Sequence, residues 1–341
     1  MILVNGLIFI MLPIMKLKNN IKKIAFIGFG SIATKHISII EDFYPDIEIC
    51  IVTKRDLNKK YKTYKNISSL KNKNIDAVFI TSPANEHFKA LKTLYTEGLN
   101  FFIEKPIFHK NYDMSTIEKY FKKNNHLICQ LGYVFRHDDI FHKFKYLLSQ
   151  NYLGKIENIK IYCGSDLSKW RPQKNLKDSI SLNKLKGGGA LLELSHEIDY
   201  CLWLFGKIKF IKAELINSGK FLSKVEDMAN IFMINDKKQE INMHLNFCQD
   251  KSERFCKVIG KKGVIKIDLV NRFIKVNTEK LSKKIIFKSQ LNEIYKKQID
   301  IFFNSIYLKK KSSVPVSEGL KVLDIIEKAK ISHKSNKIIT V

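Results

Sequence analysis

The chain has 341 residues, of which 45% are hydrophobic, and it carries a formal net charge of +27. A chain of this length exceeds one typical domain, so we expect two. The charge does not indicate a nucleic-acid partner, because the basic residues are spread along the whole chain instead of forming a stripe. Six cysteines without CxxC spacing predict a reduced, cytoplasmic protein.

Residues 1–20 are an apolar extension that begins MILVNGLIFIMLPIM. This run is shorter than the ~20 apolar residues that span a bilayer, and it lacks the basic start and cleavage site of a signal peptide. A start of translation near Met11 or Met15 and a disordered tail are both open interpretations. A membrane anchor is the least favoured alternative, so we expect no membrane partner.

Residues 21–135 alternate short apolar runs with segments of helical periodicity, a pattern typical of a parallel sheet with crossover helices. The runs are KIAFIGFG, IEICIVTK, DAVFITSP, NFFIEKP and HLICQLGY. They predict a doubly wound, Rossmann-type domain.

Longer alternating strands follow in residues 136–318 and predict a large, mostly antiparallel sheet with one open face. One long helical segment, GGGALLELSHEIDYCLWLFG, interrupts them. Residues 319–341 predict a final amphipathic helix and tail that pack back on the body. The expected fold is therefore α/β, with an N-terminal Rossmann domain and a C-terminal α/β domain.

The stretch IAFIGFGSIATKH, residues 24–36, has the glycine spacing of a dinucleotide-binding turn. Gly28 permits a tight turn, and Gly30 lets the backbone approach a pyrophosphate at the helix N-terminus. We expect cofactor contacts from Gly28, Phe29, Gly30, Ser31 and Ile32. The alternative is a strand that simply turns into a helix.

At the end of the second strand, an acidic residue usually binds the ribose 2′-hydroxyl of NAD. This chain has Thr53, Lys54 and Arg55 there. A hydroxyl and two cations suit a 2′-phosphate, which favours NADP over NAD. The alternative is that Lys54 is one more solvated lysine.

Five stretches, in this order, resemble the Gfo/Idh/MocA family, the glucose–fructose oxidoreductase and inositol dehydrogenase group. They are IGFGSIATKH, ITSPANEHFKAL, FFIEKPIF, GGGALLELSHEIDY and GLKVLDIIEKAKISHKSNK. The resemblance implies an active site in the cleft between the two domains. It also implies a homo-oligomer formed through the open sheet of the second domain.

The resemblance places the family's Glu-Lys-Pro motif at Glu104, Lys105 and Pro106. It implies that Lys105 is catalytic, beside the nicotinamide, and that Glu104 orients it within the cofactor site. A lysine there can exchange a proton with a substrate hydroxyl. Without the resemblance, Lys105 would be interpreted as a solvated surface lysine.

The segment SHEID matches the family's His-x-x-Asp element and implies catalytic roles for His196 and Asp199. A histidine suits acid–base work because its pKa lies near working pH. The alternative is a buried structural pair. The family often has a carboxylate four positions before the histidine, whereas here Glu193 lies three before His196. Glu193 is expected at the substrate, unless the shorter element removes it from that role.

Weaker candidates complete the predicted site. The segment TSPANEH indicates that Ser82, Pro83 and His87 line the cofactor cleft, although a simple turn into a helix explains it equally well. Tyr133 and Arg136 follow the last Rossmann strand and are expected to face the substrate. Arg171 is one of five arginines, and its fork geometry suits a carboxylate or phosphate. We expect no metal site.

Together these features predict an NAD(P)-dependent oxidoreductase acting on a sugar-like substrate. A nucleotide sugar or a surface-polysaccharide sugar is favoured, and a simple aldose or inositol is the alternative. A dinucleotide-binding regulator without turnover is the alternative from another class.

Overall fold

The computed structural model describes residues 21–57, 60–170, 175–176 and 179–341, together with the backbone of residues 3–4 and 7–8. Strand β1 (Leu3–Val4) pairs antiparallel with β2 (Leu7–Ile8). The rest of the predicted extension, and Arg171, lie outside the described residues. Within the described part of the chain, no helix has the length and apolarity needed to cross a bilayer.

The first domain is built on a parallel sheet of six strands. These are β3 (Lys23–Ile27), β4 (Glu48–Val52), β5 (Lys62–Tyr64), β6 (Ala77–Ile80), β7 (Asn100–Ile103) and β8 (Cys129–Leu131), in the order β5-β4-β3-β6-β7-β8. Its helices are α1 (Ser31–Phe43), α2 (Ala84–Leu94) and α3 (Ser115–Lys123). Both faces of the central strands are buried, which explains their continuous apolar runs. The predicted doubly wound sheet is confirmed.

The second domain carries a nine-stranded sheet. Its strands are β9 (Ile156–Gly164), β10 (Ile208–Ile216), β11 (Met228–Asn235), β12 (Glu240–Asn246), β13 (Glu253–Gly260), β14 (Gly263–Asp268), β15 (Phe273–Thr278), β16 (Ser282–Ile286) and β17 (Ile339–Thr340). The order is β16-β15-β14-β13-β9-β12-β11-β10-β17, and β9 with β12 is the parallel pair in an otherwise antiparallel sheet. The predicted mostly antiparallel sheet is confirmed.

Five further helices connect and cover the sheets. They are α4 (Asp139–Ser149), α5 (Ala190–Glu193), α6 (Ser195–Phe205), α7 (Leu291–Tyr307) and α8 (Val316–Ser335). The apolar stripe of α8, which includes Leu323 and Ile326, is buried. Helix α7 falls in the range predicted for the second domain, yet its Phe302 packs against Phe79 and Phe102 of the first sheet.

One face of the nine-stranded sheet carries five lysines directly opposite one another in register. This lysine row consists of Lys160, Lys257, Lys266, Lys275 and Lys284, on β9, β13, β14, β15 and β16. It lies on the open face, because the neighbours of Lys160 in β9, Ile159 and Ile161, point into the core. Lys257, Lys266, Lys275 and Lys284 lie on consecutive hairpin strands, and the pairing of β9 with β13 adds the distant Lys160.

Candidate active site

A cleft of about 960 Å³ lies between the carboxyl ends of the Rossmann strands and the second domain. The first domain contributes its glycine turn and the loops that follow β6 and β7, and the second contributes α6 and the start of β13. Twelve of the sequence-predicted residues line the cleft: Gly28, Phe29, Gly30, Ser31, Ile32, Arg55, Ser82, Pro83, Glu104, Lys105, Glu193 and His196.

The glycine turn joins β3 to α1, and its two glycines, Gly28 and Gly30, serve different purposes. Gly28 has φ +95°, and a Cβ there would lie 2.7 Å from the backbone of Ser82. Steric exclusion therefore requires glycine at position 28. A Cβ on Gly30 would meet nothing within 4 Å. Gly30 instead leaves room in the cleft for a ligand to approach the backbone.

The N-terminus of α1 has the properties of an anion site. No side chain caps it, its first turn contains no acidic residue, and Ser31 and Ile32 line the cleft. Free backbone N–H groups and the helix dipole favour a negative charge at such an end. With the open space at Gly30, these donors fit the pyrophosphate of a dinucleotide.

Arg55 connects the end of β4 to the glycine turn. Its Nη1 donates to the Phe29 carbonyl oxygen at 2.8 Å, and its backbone N–H donates to Thr53 Oγ1 at 3.1 Å. Arg55 lines the cleft, whereas Lys54 is exposed and is not one of the lining residues. The guanidinium therefore lies next to the backbone segment expected to hold the pyrophosphate.

Glu104 is held from two sides at the floor of the cleft. Its Oε1 lies 2.7 Å from His36 Nε2, and its Oε2 accepts the backbone N–H of Lys105 at 3.1 Å. His36 belongs to α1 and is fully buried. The contact between His36 and Glu104 therefore connects α1 to the Glu-Lys-Pro loop. Sequence analysis missed His36, which closes the quoted glycine stretch but faces inward, so its partner could not be read from the chain.

Lys105 contacts the second domain directly. Its Nζ donates to the Glu193 carbonyl oxygen at 2.9 Å and lies 3.4 Å from Glu193 Oε2. Glu193 Oε1 accepts from Ser181 Oγ at 3.0 Å. Lys105 and Glu193, predicted as separate site residues, are thus one contact across the cleft. Ser181 is a further partner, and no motif in the sequence marks it.

His196 lies at the start of α6, and its ring packs between Phe135 at 4.9 Å and Tyr133 at 5.7 Å between ring centroids. Burial lowers the pKa of His196 well below its usual value, and the charges of Lys105 and Arg254 lower it further. The imidazole is therefore neutral at neutral pH and can accept a proton.

Three other predicted residues lie behind the wall of the cleft. Asp199 is fully buried on α6 and accepts two hydrogen bonds from Arg136, at 2.8 and 2.9 Å. Burial raises the pKa of Asp199 to about 6, although Arg136 opposes this shift. Tyr133 is also fully buried and contacts the ring of His196. Of the three, Tyr133 alone has a described contact with His196, and none of them lines the cleft.

His87 is buried and holds two loops together. Its Nε2 lies 2.7 Å from the Ser82 carbonyl oxygen, and its Nδ1 lies 3.1 Å from that of Pro106. It therefore positions the loop after β6 against the loop after β7, behind the cofactor surface.

Arg254, at the start of β13, lines the cleft and was not selected by sequence analysis. Its Nε and Nη2 donate to the two carboxylate oxygens of Glu197 at 2.6 and 2.9 Å, and its Cζ lies 4.6 Å from the Phe135 ring centroid. The available signal was its rarity, since the chain has only five arginines. Among the described residues, no group of His, Cys, Asp and Glu side chains is arranged to hold a metal ion.

Two family models match this chain. Residues 22–133 match the oxidoreductase family, NAD-binding Rossmann fold, and residues 145–341 match the oxidoreductase family, C-terminal alpha/beta domain. The chain therefore belongs to the Gfo/Idh/MocA oxidoreductase family, and the resemblance found in the sequence is confirmed.

Individual relatives are distant. An uncharacterized oxidoreductase of Streptococcus pneumoniae is 25% identical over 203 residues, which cover 58% of this chain and 53% of that protein. The match thus spans about half the length of that relative. An inositol 2-dehydrogenase of Salmonella typhimurium is 20% identical over 303 residues, which cover 83% of this chain and 85% of that protein.

Among solved structures, scyllo-inositol dehydrogenase from Lactobacillus casei with bound NAD(H) and scyllo-inositol superimposes with a TM-score of 0.77 at 21% identity, covering 94% of this chain and 99% of that one. Levoglucosan dehydrogenase in complex with NADH gives 0.81 at 15% identity, covering 94% and 98%. At these identities the likeness establishes the shared fold.

Proposed function

We propose that this protein is an NAD(P)-dependent dehydrogenase or reductase acting on a CH–OH group of a sugar-like substrate. The observation that carries the proposal is that Lys105 and His196 line the same cleft as the glycine turn. In the oxidative direction the C–H bond breaks with its electron pair, and the hydroxyl loses its proton. When bound, the nicotinamide supplies the hydride acceptor or donor.

The protein's own part is to orient the substrate and move the proton. His196 is neutral and aromatic-packed, so it can accept the hydroxyl proton without a preceding deprotonation. Lys105 is fixed by Glu193, and Glu104 holds the backbone of Lys105. Lys105 can hydrogen-bond the same substrate oxygen, which stabilises negative charge developing there.

We propose NADP as the preferred cofactor. Arg55 is anchored beside the glycine turn, the exposed Lys54 precedes it in the chain, and Thr53 adds a hydroxyl. Two cations at the ribose position suit a 2′-phosphate. Lys54→Asp combined with Arg55→Ala removes both of them.

A fluorescence titration with NADPH and NADH tests this preference. We expect the double variant to weaken NADPH binding about 10-fold or more, since a lost charge-assisted contact costs roughly 1.5–3 kcal/mol, and to leave NADH binding little changed. Lys65→Asp with Lys73→Ala removes the same charge from exposed positions away from the cleft. If NADPH binding weakens equally in both double variants, the effect is one of net charge. If the unaltered chain binds neither nucleotide, the proposed function is overturned.

For the substrate we propose a nucleotide sugar or a surface-polysaccharide sugar, supported by the segment GGGALLELSHEIDY, whose Glu193, Leu194 and His196 line the cleft. Inositol or a simple aldose is the second candidate, favoured by the inositol dehydrogenases among the relatives. Reduction of NADP and NAD, followed with UDP-sugars, aldoses and myo-inositol, separates these candidates. If the protein binds a nucleotide but converts none of these substrates, the alternative of a non-catalytic dinucleotide-binding regulator is favoured.

We further propose that the protein is a homo-oligomer formed through the open face of the nine-stranded sheet. A groove of about 810 Å³ crosses that face, and rings of Tyr162, Phe232, His244 and Phe255 line it. Light scattering on the full chain tests this assembly, and a monomer at all concentrations would contradict it.

A further inference from the structure

Arg254 uses only one of the two hydrogen-bonding edges of its guanidinium. The edge formed by Nε and Nη2 is occupied by the Glu197 carboxylate. Nη1 has no hydrogen-bond partner among the described residues, and it is accessible to solvent. The edge formed by Nη1 and Nη2 is therefore available to a ligand.

This available edge belongs to the substrate end of the cleft. Arg254 and His196 pack against the same ring, that of Phe135, at 4.6 and 4.9 Å. Glu197, which fixes the guanidinium, is fully buried in α6, directly after His196. The proton acceptor and the guanidinium are thus held by one helix and one shared aromatic surface.

The carboxylates that line the cleft are already engaged by the protein. Glu104 contacts His36, Glu193 contacts Lys105 and Ser181, and Glu253 accepts from Gln249. Lys105 and Arg254 both act on His196 as positive charges. Each of these two cations is paired with a glutamate, so an anion would be recognised here by the unused edge of Arg254 and not by a net positive charge.

We propose that the Nη1–Nη2 edge of Arg254 binds the carboxylate of an acidic sugar, so that sugar acids are the substrate class of this site. This inference rests on the proposed function. Two parallel N–H donors match the two oxygens of a carboxylate, and an ammonium group offers no such fork. Glu197 holds the fork in place before the ligand arrives, which reduces the entropy lost on binding.

Isothermal titration calorimetry of the full chain with matched acid and neutral sugars tests the inference. The pairs are D-glucuronate with D-glucose and D-galacturonate with D-galactose, measured with and without NADPH. We expect at least one acid to bind about 10-fold or more tightly than its neutral partner, as a charge-assisted pair predicts. Arg254→Gln and Arg254→Lys should both abolish this difference, because neither keeps the fork.

Lys257→Gln is the matched control, since it removes a charge from the same strand but on the open face. Four results would overturn the inference: no preference for either acid, a preference that survives Arg254→Gln, equal loss of acid and neutral sugar in the variants, or tighter binding of glucose 6-phosphate than of glucuronate. If the proposed function itself is wrong, the unaltered chain will not bind NADPH, and this result is distinct from the four above.

Discussion

At the scale of single residues, the environment of His196 determines its chemistry. Burial, Lys105 and Arg254 all lower the pKa of His196. Under the proposed mechanism His196 accepts the substrate proton, which a protonated imidazole cannot do. Activity in the oxidative direction should therefore be lost as the pH falls through this lowered pKa. The acid limb of kcat/KM should therefore lie below pH ~6.5, the ordinary pKa of histidine.

The same environment predicts how the limb moves. Arg254→Gln removes a positive charge near His196, so the limb should shift to higher pH, whereas Arg254→Lys keeps a charge and should shift it less. The measurement is kcat/KM between pH 4.5 and 9 for the three proteins. An identical limb in Arg254→Gln and the unaltered chain would show that this charge does not act on the proton acceptor.

The residues of the candidate site divide by how far apart their partners lie in the sequence. Lys105, Glu193 and His196 each stand in a recognisable local pattern, and the structure brings all three to one cleft. Arg254 and Glu197 are 57 positions apart, and no local pattern announces their pairing. Spacing also could not show that Asp199 turns toward Arg136 and away from the cleft.

At the scale of elements, the glycine turn gives a prediction that separates folding from binding. Gly28→Ala should destabilise the fold by more than about 2 kcal/mol, because a strained positive φ costs roughly 1–2 kcal/mol and a backbone clash adds to it. Gly98→Ala is the control, since Gly98 has φ +69° with nothing within 4 Å of its Cβ.

Gly30→Ala should leave the free energy of unfolding within about 1 kcal/mol of the original, because its φ is negative. It should nevertheless weaken NADPH binding, since its methyl group enters the cleft. Chemical denaturation and fluorescence titration measure the two effects. Normal cofactor binding in Gly30→Ala would mean that no pyrophosphate approaches this backbone.

Most elements could be predicted from hydrophobic periodicity, and the exceptions have physical reasons. The predicted single helix of GGGALLELSHEIDYCLWLFG is broken at Leu194, which lies between α5 and α6. Glu193, the last residue of α5, contacts Lys105, and α6 begins at Ser195, directly before His196. Helix α7 was not predicted at all, and its attachment to the first sheet through Phe302 is a tertiary contact that no local pattern encodes.

At the scale of the whole molecule, α7 and α8 make the two predicted domains interdependent. Helix α7 leaves the second sheet and packs on the first, while α8 returns to the second sheet. The boundary predicted at 318 falls inside α8, and α7 before it already packs on the first sheet. The cleft depends on how the two sheets are held together, since one of its walls comes from the first domain and the other from the second.

The lysine row should be costly to the folded state, because like charges directly opposite on neighbouring strands repel, although Asp268 lies 3.5 Å from one of them, Lys266. Unfolding separates these lysines, and dissolved salt screens them only where they are close. Added potassium chloride should therefore raise the melting temperature. Lys257→Glu should raise it at low salt by an amount corresponding to about 1 kcal/mol and flatten its dependence on salt, because it places a negative charge between Lys160 and Lys266.

Lys237→Glu, in an exposed turn away from the row, makes the same change in net charge and is the control. An equal effect of both substitutions would assign the salt dependence to the charge of +27 as a whole. If the row itself is responsible, dissolved salt stabilises this sheet, and the protein should withstand heating best in concentrated salt solutions.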